Sequence, residues 1–214
     1  MPLETEAILK ALKEMRDKTK KRNFIQSVEL IINLRDIDLK RPENRISEIV
    51  ELPCKLGKEV KVCVFASGDA ALKAKKAGLD TISREEIEAM AGDKKKQKNL
   101  AKTYDFFIAE ATLMPLIGRI LGSVFGPRGK MPTPVPPSAD IVEIAEKYKR
   151  MVRIQAKKQP VIHCRVGTEN MKDEEIAKNI QAVISKLEDK LERGMKNIQS
   201  IYIKMTMGPA VRVV

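Results

Sequence analysis

Thr206-Met-Gly-Pro209 carries more chemistry than any other tetrapeptide near the end of the chain. A Gly-Pro pair between two strand-like stretches breaks a ladder, because proline has no N–H to donate and glycine leaves room where other residues do not. Gly208 would let a partner's backbone come close, Thr206 offers a hydroxyl, and Met207 offers a flexible apolar surface for a sugar or base face. On residue types alone, the same tetrapeptide also reads as a plain bulge or turn. Gly126-Pro-Arg-Gly-Lys130 is the most phosphate-like stretch. A nucleotide-binding loop of that kind needs Gly-x4-Gly-Lys-Ser/Thr between a strand and a helix, whereas Met131 and Pro132 follow Lys130 here. No GxGxxG follows a strand either. The stretch therefore reads as a basic surface loop whose backbone amides, with Arg128 and Lys130, could touch RNA phosphates.

Other constellations have plainer readings. His163-Cys164 lies in an alternating apolar segment and reads as sheet filling. Glu85, Glu86 and Glu88, like Asp173, Glu174 and Glu175, stand at helix starts, where the dipole favours negative charge over acid–base work. Lys94-Lys-Lys-Gln-Lys98 reads as a solvated loop, with a polyanion contact as the alternative. The single histidine leaves little basis for a His metal site or Ser–His–Asp chemistry. Cys54, Cys63 and Cys164 form no CxxC, which excludes a disulfide scaffold or a four-cysteine zinc site and suits a reducing, cytoplasmic setting. No catalytic residue, metal or cofactor is expected.

Charge says more about partners. The 214 residues hold 41 Lys+Arg against 29 Asp+Glu, a net +12. A chain this basic binds polyanions by releasing condensed counterions, and nucleic acid is the commonest of these. A membrane surface would call for a basic amphipathic segment with bulky aromatics opposite, which is not evident. No apolar run approaches the roughly 20 residues a spanning helix needs, and MPLETEAILK lacks the features of a signal peptide. Aromatics at 4%, with no Trp, argue against stacking of successive bases and for recognition of backbone and shape.

These residues need elements to position them. Residues 3–20 repeat Ile8, Leu12 and Met15 at helical spacing. Residues 27–35 and 46–52 read as strands, then the texture changes. Residues 60–65 and 105–109 form compact apolar strands among helices at 70–77, after Ser83, at 116–125 and at 140–150, a βαβ pattern implying a parallel sheet. From Val152 it switches back: strands at 152–156 and 161–166, a long amphipathic helix from Asp173 to Arg193, and strands at 198–204 and 211–214. Each outer segment has one helix and too few strands to bury a face alone. The expected fold class is therefore α/β with two domains. Residues 1–55 and 151–214 form a split α+β domain with a four-stranded sheet and two helices, interrupted by a Rossmann-like α/β domain at 56–150. The net charge divides as about +7 and +5 between them. Paired connectors would act as a hinge.

Three motifs carry a family likeness. Asn23-Phe-Ile-Gln-Ser-Val-Glu29, the run from Ile120 to Pro134 (ILGSVFGPRGKMPTP), and Ser200-Ile-Tyr-Ile-Lys-Met-Thr-Met-Gly-Pro209 resemble the large-subunit ribosomal protein L-one family, in order and along essentially the whole chain. Lys130-Met-Pro-Thr-Pro134, where bacterial members tend to carry Leu-Met-Pro-Asn-Pro, and the short C-terminus look like the archaeal branch. The resemblance implies a split domain with a Rossmann-like insertion. Members bind a structured segment of large-subunit ribosomal RNA, form the mobile stalk beside the tRNA exit site and aid release of deacylated tRNA. Many also repress translation of their own mRNA by mimicry of that site.

Carried over by motif, the RNA contacts would be Phe24, Ser27 and Glu29 on the first strand, with Ser200, Thr206, Met207 and Gly208 near the end. Where the family often has a basic residue before the phenylalanine, Asn23 stands here, and Arg22 would substitute. Glu29 would be repelled by phosphate, so at an RNA surface it must accept from 2′-hydroxyls or base amino groups. Lys204, Arg165, Lys20 and Lys21 would supply the phosphate contacts around it. The resulting expectation is a non-enzymatic, ribosome-associated protein, monomeric when free, without cofactor or membrane partner. An α/β enzyme acting on a nucleotide or nucleic acid is the alternative, and a nonspecific DNA-coating protein a third.

Overall fold

The computed structural model describes residues 5–57, 59–136, 139–157 and 159–214, apart from the Pro42 side chain. Leu3 and Glu4, the start of the expected first helix, lie outside the described residues. The chain opens with α1 (Thr5–Lys18), β1 (Ser27–Leu34) and β2 (Ile46–Glu51). Next come β3 (Val62–Phe65), α2 (Gly68–Lys76), β4 (Asp80–Ile82), α3 (Arg84–Ala89), α4 (Lys94–Thr103), β5 (Phe106–Glu110), α5 (Met114–Arg128), β6 (Thr133–Val135) and α6 (Ile141–Tyr148). It closes with β7 (Met151–Ala156), β8 (Val161–Thr168), α7 (Asp173–Lys190), β9 (Ile198–Met205) and β10 (Val211–Arg212). Two compact units result: Met1–Lys58 with Arg150–Val214, and Glu59–Lys149.

In the first unit, β10-β9-β1-β8 form an antiparallel sheet, and β2 pairs β7 in a separate ladder. Both chain ends thus share one sheet, with β1 seated between β9 and β8. The period-two pattern of β1 buries Val28, Leu30, Ile32 and Leu34 and leaves the alternate positions partly open. Helical spacing does the same for α1, burying Ile8, Leu12 and Met15, and for α7, burying Ile176, Ile180, Val183 and Leu187. These helices pack on each other, α1 against β9 and α7 against β8, so one face of the sheet is covered. The strands expected to make one four-stranded layer are six, divided between the sheet and the β2–β7 ladder.

Two polar side chains lock this unit. Arg16 reaches from α1 to the loop before α7, donating Nε to Asp173 Oδ1, Nη1 to the Glu169 carbonyl and Nη2 to the Met171 carbonyl, each at 2.7 Å. Asn179, fully buried on α7, accepts the Cys54 N–H at 3.0 Å and donates to the Val166 carbonyl at 2.9 Å. A buried amide with both ends used fixes its surroundings, and an unmade bond there would be costly.

The second unit holds a parallel sheet in the order β4-β3-β5-β6. β3 is buried at every residue, as a parallel strand covered on both faces should be. Phe107 packs at 4.6 Å from Phe125 and 5.8 Å from Phe65, ring centre to ring centre, in the core. Two sequence readings need correction here. The lysine run at 94–98 is not a loop but the first half of α4, capped by Asp93, whose carboxylate accepts the Lys95 and Lys96 N–H groups at 3.0 Å each. Gly126-Pro-Arg is not a loop either; it completes α5, which ends at Gly129 (φ +66).

Candidate nucleic-acid interface

The turn after β9 is tied to the start of β1. Ser27 N–H donates to Thr206 Oγ1 at 3.1 Å, and Thr206 N–H donates to the Ser27 carbonyl at 3.1 Å. Met207 N–H donates to Gln26 Oε1 at 3.1 Å, and Gln26 Nε2 reaches back to the Lys20 carbonyl at 3.3 Å. The clasp gathers Lys20, Lys21, Phe24, Ser27, Thr206, Met207 and Gly208 at one end of the sheet. Phe24, Ile25 and Met207 are 51%, 58% and 57% exposed there, an apolar cluster the fold itself does not use.

Two of the expected roles change on inspection. Gly208 makes room within the chain, not for a partner: a Cβ there would collide with Thr19 Oγ1 and lie 3.1 Å from Thr19 Cγ2. Thr19 cannot easily yield, because its hydroxyl donates to the Met15 carbonyl at 2.6 Å. The Thr206 hydroxyl is likewise engaged by Ser27, which leaves it only spare acceptor capacity.

Behind this tip runs the open face of the sheet, laid out by register. Glu29 stands opposite Arg165 on β8 and Lys204 on β9; Ile31 is flanked by His163 and Tyr202; Asn33 is flanked by Val161 and Ser200. A carboxylate between two cations would ordinarily be paired. Among the described residues the Glu29 carboxylate nevertheless has neither ion pair nor hydrogen bond, and Arg165 Nε is buried with no partner. Unused donors and acceptors side by side suit a polar ligand carrying both kinds of group. Ser200 sits six positions before Thr206, about 20 Å along the strand, where its Oγ accepts from Asn33 Nδ2 at 2.9 Å.

Asn33, Tyr202 and His163 were not singled out by sequence reasoning as site residues. Their signal was present in the alternation of β1, β8 and β9, but became usable only once the register was known. His163-Cys164 is only half sheet filling: Cys164 is buried in the core, while His163 is exposed on the open face. Burial pushes the Cys164 thiol up to about 12 and raises that of Cys63 as well, with the charge of Asp80 adding to the effect at Cys63.

The second unit's motifs serve structure. Lys130 Nζ donates to the Ala101 and Tyr104 carbonyls at 3.0 and 2.6 Å, closing the end of α4 rather than facing outward as a phosphate contact. In a doubly wound sheet a nucleotide phosphate lies at a helix N-terminus beside the strand ends. Here Glu110 Oε2 takes that place at α2, accepting the Ser67 N–H at 3.2 Å and the Ser67 hydroxyl at 2.9 Å. An anionic carboxylate at that point repels a phosphate. Among the described residues no three His, Cys, Asp or Glu side chains gather as a metal site, and no helix is long and apolar enough to cross a membrane.

The sheet is thus covered by helices on one face and lines up Glu29, Arg165, Lys204, His163, Tyr202 and Asn33 along the other. The chain belongs to the Ribosomal protein L1p/L10e family, whose model matches residues 12–209. It is 54% identical over 214 residues to the large ribosomal subunit protein uL1 of Pyrococcus abyssi, covering 100% of this chain and 98% of that one. The uL1 of Thermococcus kodakarensis is 51% identical over 214 residues (100% and 99% covered), and that of Archaeoglobus fulgidus 47% over 215 (100% of each). The expected archaeal-type kinship is thus correct. The protein is a ribosomal protein of a non-enzymatic family.

Proposed function

We propose that this protein belongs to the large ribosomal subunit and holds a structured segment of its ribosomal RNA against the open face of the composite sheet. The observation that carries this reading is the Ser27–Thr206 clasp, which sets exposed Phe24, Ile25 and Met207 beside the unpaired Glu29. Phe24 and Met207 cover a sugar or base face, and Glu29 accepts from 2′-hydroxyls or base amino groups. Arg165 and Lys204 flank it toward phosphates, with Lys20 and Lys21 at the rim. Gly208 and Thr206 shape the tip, and the Asn33–Ser200 pair carries the track to its far end. The names of the relatives support the ribosomal assignment.

The finer reading is a stalk beside the tRNA exit site that aids release of deacylated tRNA, and repression of the protein's own mRNA through the same face. The protein is taken to be a monomer when free. Footprinting on deproteinised large-subunit RNA at rising salt tests the central part. One compact protected segment should persist after scattered contacts are lost, since polar readout is less salt-sensitive than phosphate contact. Protections that are dispersed and fade together would contradict it. If repression uses the same face, the ribosomal fragment should displace the mRNA competitively.

A further inference from the structure

The geometry points to a second RNA-binding surface, on α4 of the inserted unit, that grips the phosphate backbone of an RNA helix without reading its sequence. Lys94, Lys98 and Lys102 follow one another at i, i+4 and i+8, and Lys95 lies on the adjoining row, so four cations share one side of the helix. All four are exposed. Helical rise spreads Lys94 to Lys102 over about 12 Å, in steps of about 6 Å. The exposed Arg128 joins the stripe from α5, its Nη1 held by the Lys98 carbonyl at 3.1 Å.

This arrangement works against the helix that carries it. Lys94, Lys95 and Lys96 occupy the first turn, where the dipole disfavours cations, and Lys94–Lys98 and Lys98–Lys102 are like-charge neighbours. Among the described residues only Lys96 of this run finds a carboxylate, Asp93 at 3.7 Å. Among the described residues Lys94, Lys95, Lys98 and Lys102 have no ion pair. The opposite side of α4 already suffices for packing, through Gln97 and Ala101. A row of unneutralised cations that destabilises its own helix is accounted for by a polyanion that neutralises it, and regular spacing along a rigid rod suits a backbone of regularly spaced phosphates.

The surface is separate from the composite sheet, so it can fail or stand independently of the reading above. The test uses the full chain and a 20-base-pair RNA duplex of arbitrary sequence, with binding measured across a salt series. Lys94→Gln, Lys98→Gln and Lys102→Gln together keep good helix formers on an exposed face. This variant should bind the duplex at least tenfold more weakly at low salt, with the slope of log K against log salt reduced by about two to three. Its affinity for the ribosomal RNA fragment should change much less. A control with Lys73→Gln, Lys75→Gln and Lys76→Gln on α2 removes the same charge and should fall by no more than about twofold. Equal losses in the two triple variants would overturn the proposal by reducing it to net charge. Competition by polyglutamate as strong as by the duplex, charge for charge, would also overturn it by making the stripe a dock for an acidic protein.

Discussion

Ser27 and Thr206, 179 residues apart, hold each other by three hydrogen bonds: each N–H donates over 3.1 Å, one to the Thr206 hydroxyl and one to the Ser27 carbonyl, and the Thr206 hydroxyl donates to that carbonyl at 3.4 Å. The chain's two ends are thereby fixed at the point where Phe24 and Met207 emerge.

That clasp has a measurable worth. Thr206→Val keeps the shape but removes the acceptor for Ser27 N–H, and should cost about 1 kcal/mol in urea unfolding, whereas Thr206→Ser should cost little. A loss as large with serine would mean that the methyl group, not the hydroxyl, matters.

Gly208→Ala forces a methyl onto Thr19 and should destabilise the first unit by about 1–3 kcal/mol. Adding Thr19→Ala removes the colliding Oγ1 and Cγ2, so the double variant should recover much of the loss. Additive losses would show that the close approach is not the cause.

Asn179→Leu leaves the Cys54 N–H and the Val166 carbonyl without their partner in a fully buried setting. A cost of about 2–4 kcal/mol is expected, read from the denaturant midpoint.

The thiols give a pH test. Cys63 and Cys164 are buried and Cys54 is partly exposed, so only Cys54 should react promptly with a thiol reagent in the native protein. A Cys164 pKa of about 12, raised from 9.0, means the unfolded chain ionises first. Stability is therefore full below pH 9 and falls as pH rises toward 12, by up to about 1.4 kcal/mol per pH unit for that thiol. Replacing Cys164 by Ala should reduce the alkaline slope, and an unchanged slope would refute the assignment.

Much of this was legible in the residues, because the informative elements are long and periodic. Ile8, Leu12 and Met15, the alternation from Val28 to Leu34, and the ridge from Ile176 to Leu187 each report a face by spacing alone. β4 and β6 were not legible, since three residues hold too little of a period-two pattern. α4 was hidden by its lysines: charge suggested solvated chain, although lysine is a good helix former and Gln97 and Ala101 bury its inner side. Gly126-Pro-Arg-Gly looked like a loop because glycine and proline usually are, yet Pro127 lies inside the last turn of α5, which ends directly after it at Gly129. At the site, motif and charge supplied the tip. Asn33, Tyr202 and His163 needed the register, which depends on contacts between segments more than 100 residues apart.

Filter binding of Phe24→Ala and Met207→Ala tests the central claim most directly, because both side chains are more than half exposed and contribute little to folding. Each should weaken binding to the ribosomal RNA fragment by about tenfold, roughly 1.4 kcal/mol, while a random duplex loses less than about twofold. Equal loss on both RNAs, or none on either, would contradict a shape-reading platform built from the two ends of the chain.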